Sequence, residues 1–279
     1  MPTKLSEHKE SSEALTILGV GPSGSGKSIG LCSFASAGPL YNISLDDRMR
    51  SVKEYYRGTE LFDNIYVDVL TNFKELDEIV DKLEYDCPYK TIMIDPLTQL
   101  ATLLRHYSYS LRGFKGVGSL SPEGDGAKGK KKGIVDLSTY DDINVEHSGI
   151  EQLLANLKIV QKKWGCNIIL TAHLLSTTYY KVGGTVSHTT NDILTSGRKI
   201  AVLIPTMFDE IYYFYTETNE GKTDYKIRTF NDGITAARSS FVKMPKEIVW
   251  TDSLNLYGFI SKFYGGEKQV KKEGEEVIV

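Results

Sequence analysis

An apolar run, Leu15-Thr16-Ile17-Leu18-Gly19-Val20, gives way to Gly21-Pro22-Ser23-Gly24-Ser25-Gly26-Lys27-Ser28, and apolar residues then resume at helical spacing as Ile29, Leu31, Cys32, Phe34 and Ala35. A buried strand, a glycine-rich turn and a helix in direct succession constrain the fold more than any other feature of the chain. The glycines let consecutive backbone N–H groups converge on one point, which makes a cradle for phosphate oxygens. The spacing is G-x-x-x-x-G-K-S, the Walker A pattern. Gly21, Pro22, Ser23, Gly24, Ser25, Gly26, Lys27 and Ser28 are therefore the expected nucleotide-binding residues. Lys27 is placed to bridge the β- and γ-phosphates, and the Ser28 hydroxyl to ligate a Mg²⁺ bound to them. The plain alternative is a glycine-rich turn with a chance Lys-Ser, and the flanking strand and helix argue against it.

The same alternation continues downstream. Strands are predicted at 39–45, ending near Asp46-Asp47, at 64–70, at 91–95 and at 167–172. Asn72 and Glu75 form a capping box before a helix whose apolar face is Phe73, Leu76, Ile79, Val80 and Leu83. Ile150, Leu153, Leu154, Leu157, Val160 and Trp164 mark another helix. Strands alternating with helices imply an α/β fold with a mainly parallel sheet. Residues 208–216 and 223–230 flank Asn219-Glu220-Gly221-Lys222, a hairpin signal that adds antiparallel strands at one side of that sheet.

Two stretches, 111–148 and 174–194, read as long irregular loops, which in a compact domain are functional or disordered. The expected organisation is a flexible segment at 1–13, one ATPase domain over 14–264, and a flexible charged tail over 265–279 in which Val277-Ile278-Val279 offers a docking element for a protein partner.

The chain has 279 residues, 41% hydrophobic and 25% charged, and a net charge of −3, so any contact with nucleic acid must come from local basic clusters. Cys32, Cys87 and Cys166 are far apart and form no C-x-x-C pair, as expected of a reduced protein. The first twelve residues are polar and no run approaches a membrane span, so a soluble cytoplasmic protein is expected, without membrane contact.

The candidate catalytic residues stand at strand ends. Asp95 follows Ile92-Met93-Ile94 and matches Walker B, whose aspartate holds the metal directly or through water; a helix cap is the plain alternative. Asp46 and Asp47 are both candidates for orienting the attacking water, since neighbouring parallel strands deliver their carboxyl ends to one crevice, although a solvated acidic turn explains them as well. His173 ends the strand after Walker B, where an imidazole reaches the γ-phosphate and senses its loss.

Walker A, the acidic strand end at Asp46 and Asp47, I-M-I-D-P-L-T at 92–98 and I-I-L-T-A-H at 168–173 resemble the RecA superfamily core. Together with Ser196-Gly197-Arg198-Lys199 and the stretch Ile204 to Ile211, the chain is similar to the phage-encoded RecA-like P-loop ATPases, the phage nucleotide-binding proteins that include single-strand annealing ATPases. The resemblance covers residues 14–240. It implies a RecA-like domain that binds ATP with Mg²⁺, forms homo-oligomers as rings or filaments, and binds single-stranded DNA through loops after the Walker B and sensor strands.

The resemblance also implies a neighbour's basic residue at the γ-phosphate. Here Ala236-Ala237-Arg238 retains the arginine as Arg238 and lacks the accompanying lysine. An aspartate also stands where the usual catalytic residue is glutamate, one methylene longer. The two irregular stretches fall where DNA loops are implied: Lys128, Lys130, Lys131 and Lys132 would neutralise phosphates, and Tyr179, Tyr180 and Lys181 would stack bases and hold backbone.

The function these readings imply is an ATP-binding and slowly hydrolysing protein of phage recombination or replication, acting on single strands. A nucleotide-dependent motor or loader in replication or packaging, and a non-hydrolysing switch, are the alternatives.

Overall fold

The computed structural model describes residues 14–111, 140–181, 184–195, 198–250 and 255–263. The basic cluster Lys128, Lys130, Lys131 and Lys132, the segment 1–13 and the tail 265–279 lie outside these residues. One eight-stranded sheet organises the chain, in the order β10-β9-β8-β1-β5-β4-β2-β3. Its strands are β1 (Thr16–Val20), β2 (Leu40–Ser44), β3 (Ile65–Val69), β4 (Thr91–Asp95), β5 (Asn167–Ala172), β8 (Glu210–Asn219), β9 (Lys222–Arg228) and β10 (Glu247–Trp250). Every pairing from β3 across to β8 is parallel, and β9 and β10 continue antiparallel. This is the α/β architecture expected, with the hairpin extension where Glu220 and Gly221 both take positive φ, 51° and 82°, as a tight strand-joining turn requires.

Strands β1, β2, β4 and β5 are buried along their whole length, which a parallel sheet covered on both faces demands. One face carries α3 (Phe73–Tyr85), α4 (Leu97–Leu111) and α5 (Tyr140–Trp164), packed through Leu76, Leu100 and Leu157 against Ile92, Ile94 and Leu170. The other carries α1 (Lys27–Cys32), α2 (Arg50–Tyr56) and α7 (Leu256–Ile260), where Leu31, Phe34 and Leu256 meet Ile17, Met93 and Ile169. Burying each of these side chains contributes about 1.5–3 kcal/mol. A short helix α6 (Arg198–Leu203) precedes β8. The predicted cap of α3 is present: Asn72 accepts from the Glu75 N–H at 3.0 Å, and the Glu75 carboxylate accepts from the Thr71 N–H at 3.4 Å.

Two predicted loops differ from the structure. The stretch read as irregular over 111–148 is already helical from Tyr140, where α5 begins. Its early turns are polar, so the apolar stripe that signals a helix is missing; tertiary packing supplies the reason instead, with Glu146 fully buried and its carboxylate 3.7 Å from the Arg105 guanidinium of α4. The stretch 174–194 is no irregular loop either. It forms an antiparallel ribbon of β6 (Leu174–Tyr180) and β7 (Val186–Ile193), separate from the main sheet. Most of its residues are at least partly exposed on both faces, so the apolar–polar alternation of a half-buried strand never arises, while threonine, tyrosine and valine favour the extended backbone.

Candidate nucleotide site

The turn after β1 leaves the sheet at Gly21, whose φ of 153° and whose crowding against the Phe214 carbonyl admit no side chain. Its N–H donates to the Ala172 carbonyl at 3.2 Å, so the loop starts at the common carboxyl end of β1 and β5. Gly24 and Gly26 also take positive φ, 79° and 84°, and curl the loop back toward α1. Ser25 closes it from within, its hydroxyl donating to the Pro22 carbonyl at 2.8 Å. Lys27 folds back under this arch and donates to the carbonyls of Gly21 at 2.9 Å and Pro22 at 2.7 Å. Pro22, Ser23 and Gly24 remain exposed, and Ser28 is half-buried at the first turn of α1.

A polar row crosses the sheet beneath α1. Strand register sets Gly19 opposite Thr171 and Ser44 opposite Asp95. The Thr171 hydroxyl donates to the Asp95 carboxylate and ties β5 to β4. Asp95 is only 9% exposed and Ser44 1%. Sequence reading named Asp95 and missed Thr171, although Thr171 stands in the same T-A-H run as His173. The His173 backbone N–H donates to the Thr98 hydroxyl at 3.2 Å, which holds the strand end against the start of α4.

Charges in this crevice act on one another. Burial lowers the Lys27 ammonium to about 8, with the Asp95 charge opposing the shift. Burial also lowers His173, and the Lys27 charge adds to that, against Asp95, a hydrogen bond with the Gly21 backbone, and Asp46. Asp46 is raised by burial and then by Asp95, with the Arg48 N–H, the Arg48 guanidinium and His173 opposing. Asp46 thus stands within electrostatic reach of Asp95 and His173, while Asp47 is exposed with its backbone at φ 54°.

The remaining candidates lie elsewhere. Arg238 pairs by backbone with Ile211, and its guanidinium donates to the Phe208 carbonyl and, at 3.3 Å, to the Pro205 carbonyl of its own chain. Tyr179, Tyr180 and Lys181 are at the tip of the β6–β7 ribbon: Tyr179 stacks on His188 with centroids 4.4 Å apart, and Tyr180 is 65% exposed.

The arrangement fits a nucleotide with its metal. Among the described residues, the buried ammonium meets two neutral carbonyls and a nearby carboxylate, which compensate it poorly, and anionic phosphates over the arch would compensate it. Ser28 and Asp95 are hard oxygen donors, and among the described residues no cluster of three His, Cys, Asp or Glu could hold a metal alone. That donor set suits Mg²⁺, which takes most of its ligands from phosphate and water. When bound, such an ion neutralises phosphate charge and aligns it for attack.

Residues 13–244 match the AAA domain family. The chain belongs to the AAA domain family. It is a P-loop ATPase domain by that membership, and the stretch matched includes Gly21 to Ser28. A search of the curated proteins finds no match to this AAA domain. None of its described helices is long and apolar enough to cross a membrane.

The buried lysine makes nucleotide affinity depend on pH. Phosphates favour the charged ammonium, so affinity is full below about 8 and falls as pH rises through that value, by up to tenfold per unit. Stability of the nucleotide-free chain runs the other way. A base lowered from 10.5 to about 8 destabilises the fold while charged, and that cost disappears as pH climbs between those values. Equilibrium dialysis with MgATP and thermal melts between pH 7 and 10 should show the two trends in opposition.

Proposed function

We propose that this AAA domain is a RecA-like, Mg²⁺-dependent ATPase encoded by a phage, which binds single-stranded DNA in recombination or replication in the host cytoplasm and works as a homo-oligomer. In this reading Lys27 holds the phosphates, Ser28 and Asp95 hold the metal, and Asp46 or Asp47 orients water. His173 reads the γ-phosphate, and Arg238 contributes at a neighbour's site once freed from its own chain's carbonyls.

The observation that carries the reading is the ribbon β6–β7, which springs directly from the nucleotide crevice. Its base is closed by the Leu194 N–H donating to the His173 carbonyl at 2.9 Å, so the residue assigned here to the γ-phosphate is also the root of the ribbon. A two-stranded ribbon is marginally stable alone, so a small shift at its root can move its tip. That tip carries Tyr180 and Lys181, a stacking group and a cation in the combination that holds a single strand without reading its sequence.

Hydrolysis of ATP with Mg²⁺, measured without DNA, with single strands and with duplex, tests the reading. Single strands should stimulate turnover severalfold, and replacing Tyr180 and Lys181 together by alanine should remove most of the stimulation while sparing the basal rate. Stimulation by duplex alone would favour a motor, and tight nucleotide binding without turnover a switch; either outcome would displace the proposal.

A further inference from the structure

The order of strands gives the bound nucleotide a direction. Asp95 ends β4 on one side of the phosphate loop, and β8, β9 and β10 follow one another on the other side of β1. A triphosphate whose γ end faces Asp95 therefore has its sugar and base leaving over β8 and β9.

That side is lined with aromatic rings. A methyl group placed on Gly26 of the loop would stand 3.4 Å from the Tyr225 ring and 3.5 Å from the Trp250 ring. Trp250 is also pressed to the backbone of α1, where a Cβ on Gly30 would fall 2.4 Å from it. Register pairs Trp250 with Tyr225 across β10 and β9, and Tyr55 of α2 meets Trp250 with ring centroids 6.5 Å apart. Tyr225 is 41% and Tyr55 39% exposed. Their contacts with Trp250 are edge-on, at 63° and 89°, so none of these rings is stacked face to face with another of the three.

We propose that Tyr225 and Trp250, with Tyr55 at their rim, seat the base of the nucleotide and give the site a preference for purine nucleoside triphosphates. This rests on the phosphate-loop reading of Gly21 to Ser28. An aromatic cover for α1 would need only Trp250, which already contacts Gly30 and Phe214; the flanking exposed tyrosines extend the aromatic surface outward, beside the loop. A purine has more ring area to stack than a pyrimidine, and a bare triphosphate has none. Trp250 lies beyond the stretch that matches the AAA domain family, so membership does not assign it this role.

The sequence has two tryptophans, and in Trp164→Phe only Trp250 remains to report. Titrations of that variant with MgATP, MgUTP and magnesium tripolyphosphate, followed by tryptophan emission and by equilibrium dialysis, read base and phosphate separately. The expected result is that all three bind, ATP tightest, and that ATP changes Trp250 emission while tripolyphosphate leaves it unaltered. Tyr225→Ala, at an exposed position the fold tolerates, should weaken ATP about tenfold and change tripolyphosphate by less than about twofold. Equal affinity for ATP and tripolyphosphate, or full ATP affinity in Tyr225→Ala, overturns the aromatic seat and leaves the phosphate loop standing. If neither ligand binds, the loop reading itself fails and takes the seat with it.

Discussion

Lys27→Ala is expected to lower the affinity for MgATP about a hundredfold or more while leaving the fold intact. Lys27 is 6% exposed, and its ammonium reaches the Gly21 and Pro22 carbonyls from beneath the loop. A phosphate placed over the arch would take over those N–H donors as charge-assisted bonds, each worth about 1.5–3 kcal/mol. Losing two of them removes about 3 kcal/mol or more, and every 1.4 kcal/mol is about tenfold. The nucleotide-free fold loses little, because burying the charge already opposes folding, as its lowered basicity records. Equilibrium dialysis beside a thermal melt separates the two effects. A variant that melts like the parent and still binds MgATP would remove Lys27 from the phosphate site.

Gly21→Ala should destabilise the chain by about 3 kcal/mol or more, a fall in Tm of roughly 6–12 °C for a domain of this size. The added Cβ would lie 2.2 Å from the Phe214 carbonyl and 3.0 Å from the Ser25 hydroxyl, at a φ of 153° that suits glycine. Phe214 belongs to β8, whose parallel pairing with β1 runs up to Val20 beside Tyr213, so the obstructing carbonyl cannot retreat without opening that ladder. Gly24→Ala is the control. Its φ is also positive, at 79°, but nothing lies within 4 Å of the new atom, so the cost is only the left-handed backbone, about 1 kcal/mol. Thermal unfolding of the two variants decides the matter, since equal melting would mean that the loop's exit from the sheet is not held by β8.

The strand ends that carry the candidate residues were legible because each closes a short apolar run in the chain. Val20 before the loop, Ile94 before Asp95 and Ala172 before His173 each announce a buried strand that ends in a candidate residue. What local pattern could not show are contacts between residues far apart in sequence. The Thr171 hydroxyl meets Asp95 across 76 positions because β5 and β4 are adjacent in the sheet, and no spacing within either strand signals that. The ribbon β6–β7 escaped for a different reason: with both faces exposed it has no burial period to reveal it, and only its β-favouring residues around Gly184 hinted at a turn. The different settings of Asp46 and Asp47 likewise needed the structure, since only exposure and backbone angle distinguish two identical side chains that adjacency makes alike.

By itself, then, the sequence determined the strand, glycine-rich loop and helix of the Walker A stretch, the parallel α/β class and the hairpin at Glu220-Gly221, because each follows from backbone freedom and burial within a few neighbouring residues. The tertiary structure alone decided which strand ends share one crevice, that Arg238 is tied to the Pro205 and Phe208 carbonyls, and that Tyr225 and Trp250 stand against the phosphate loop. Those outcomes depend on strand order and on packing between distant segments, and such packing is settled only when the whole core is assembled.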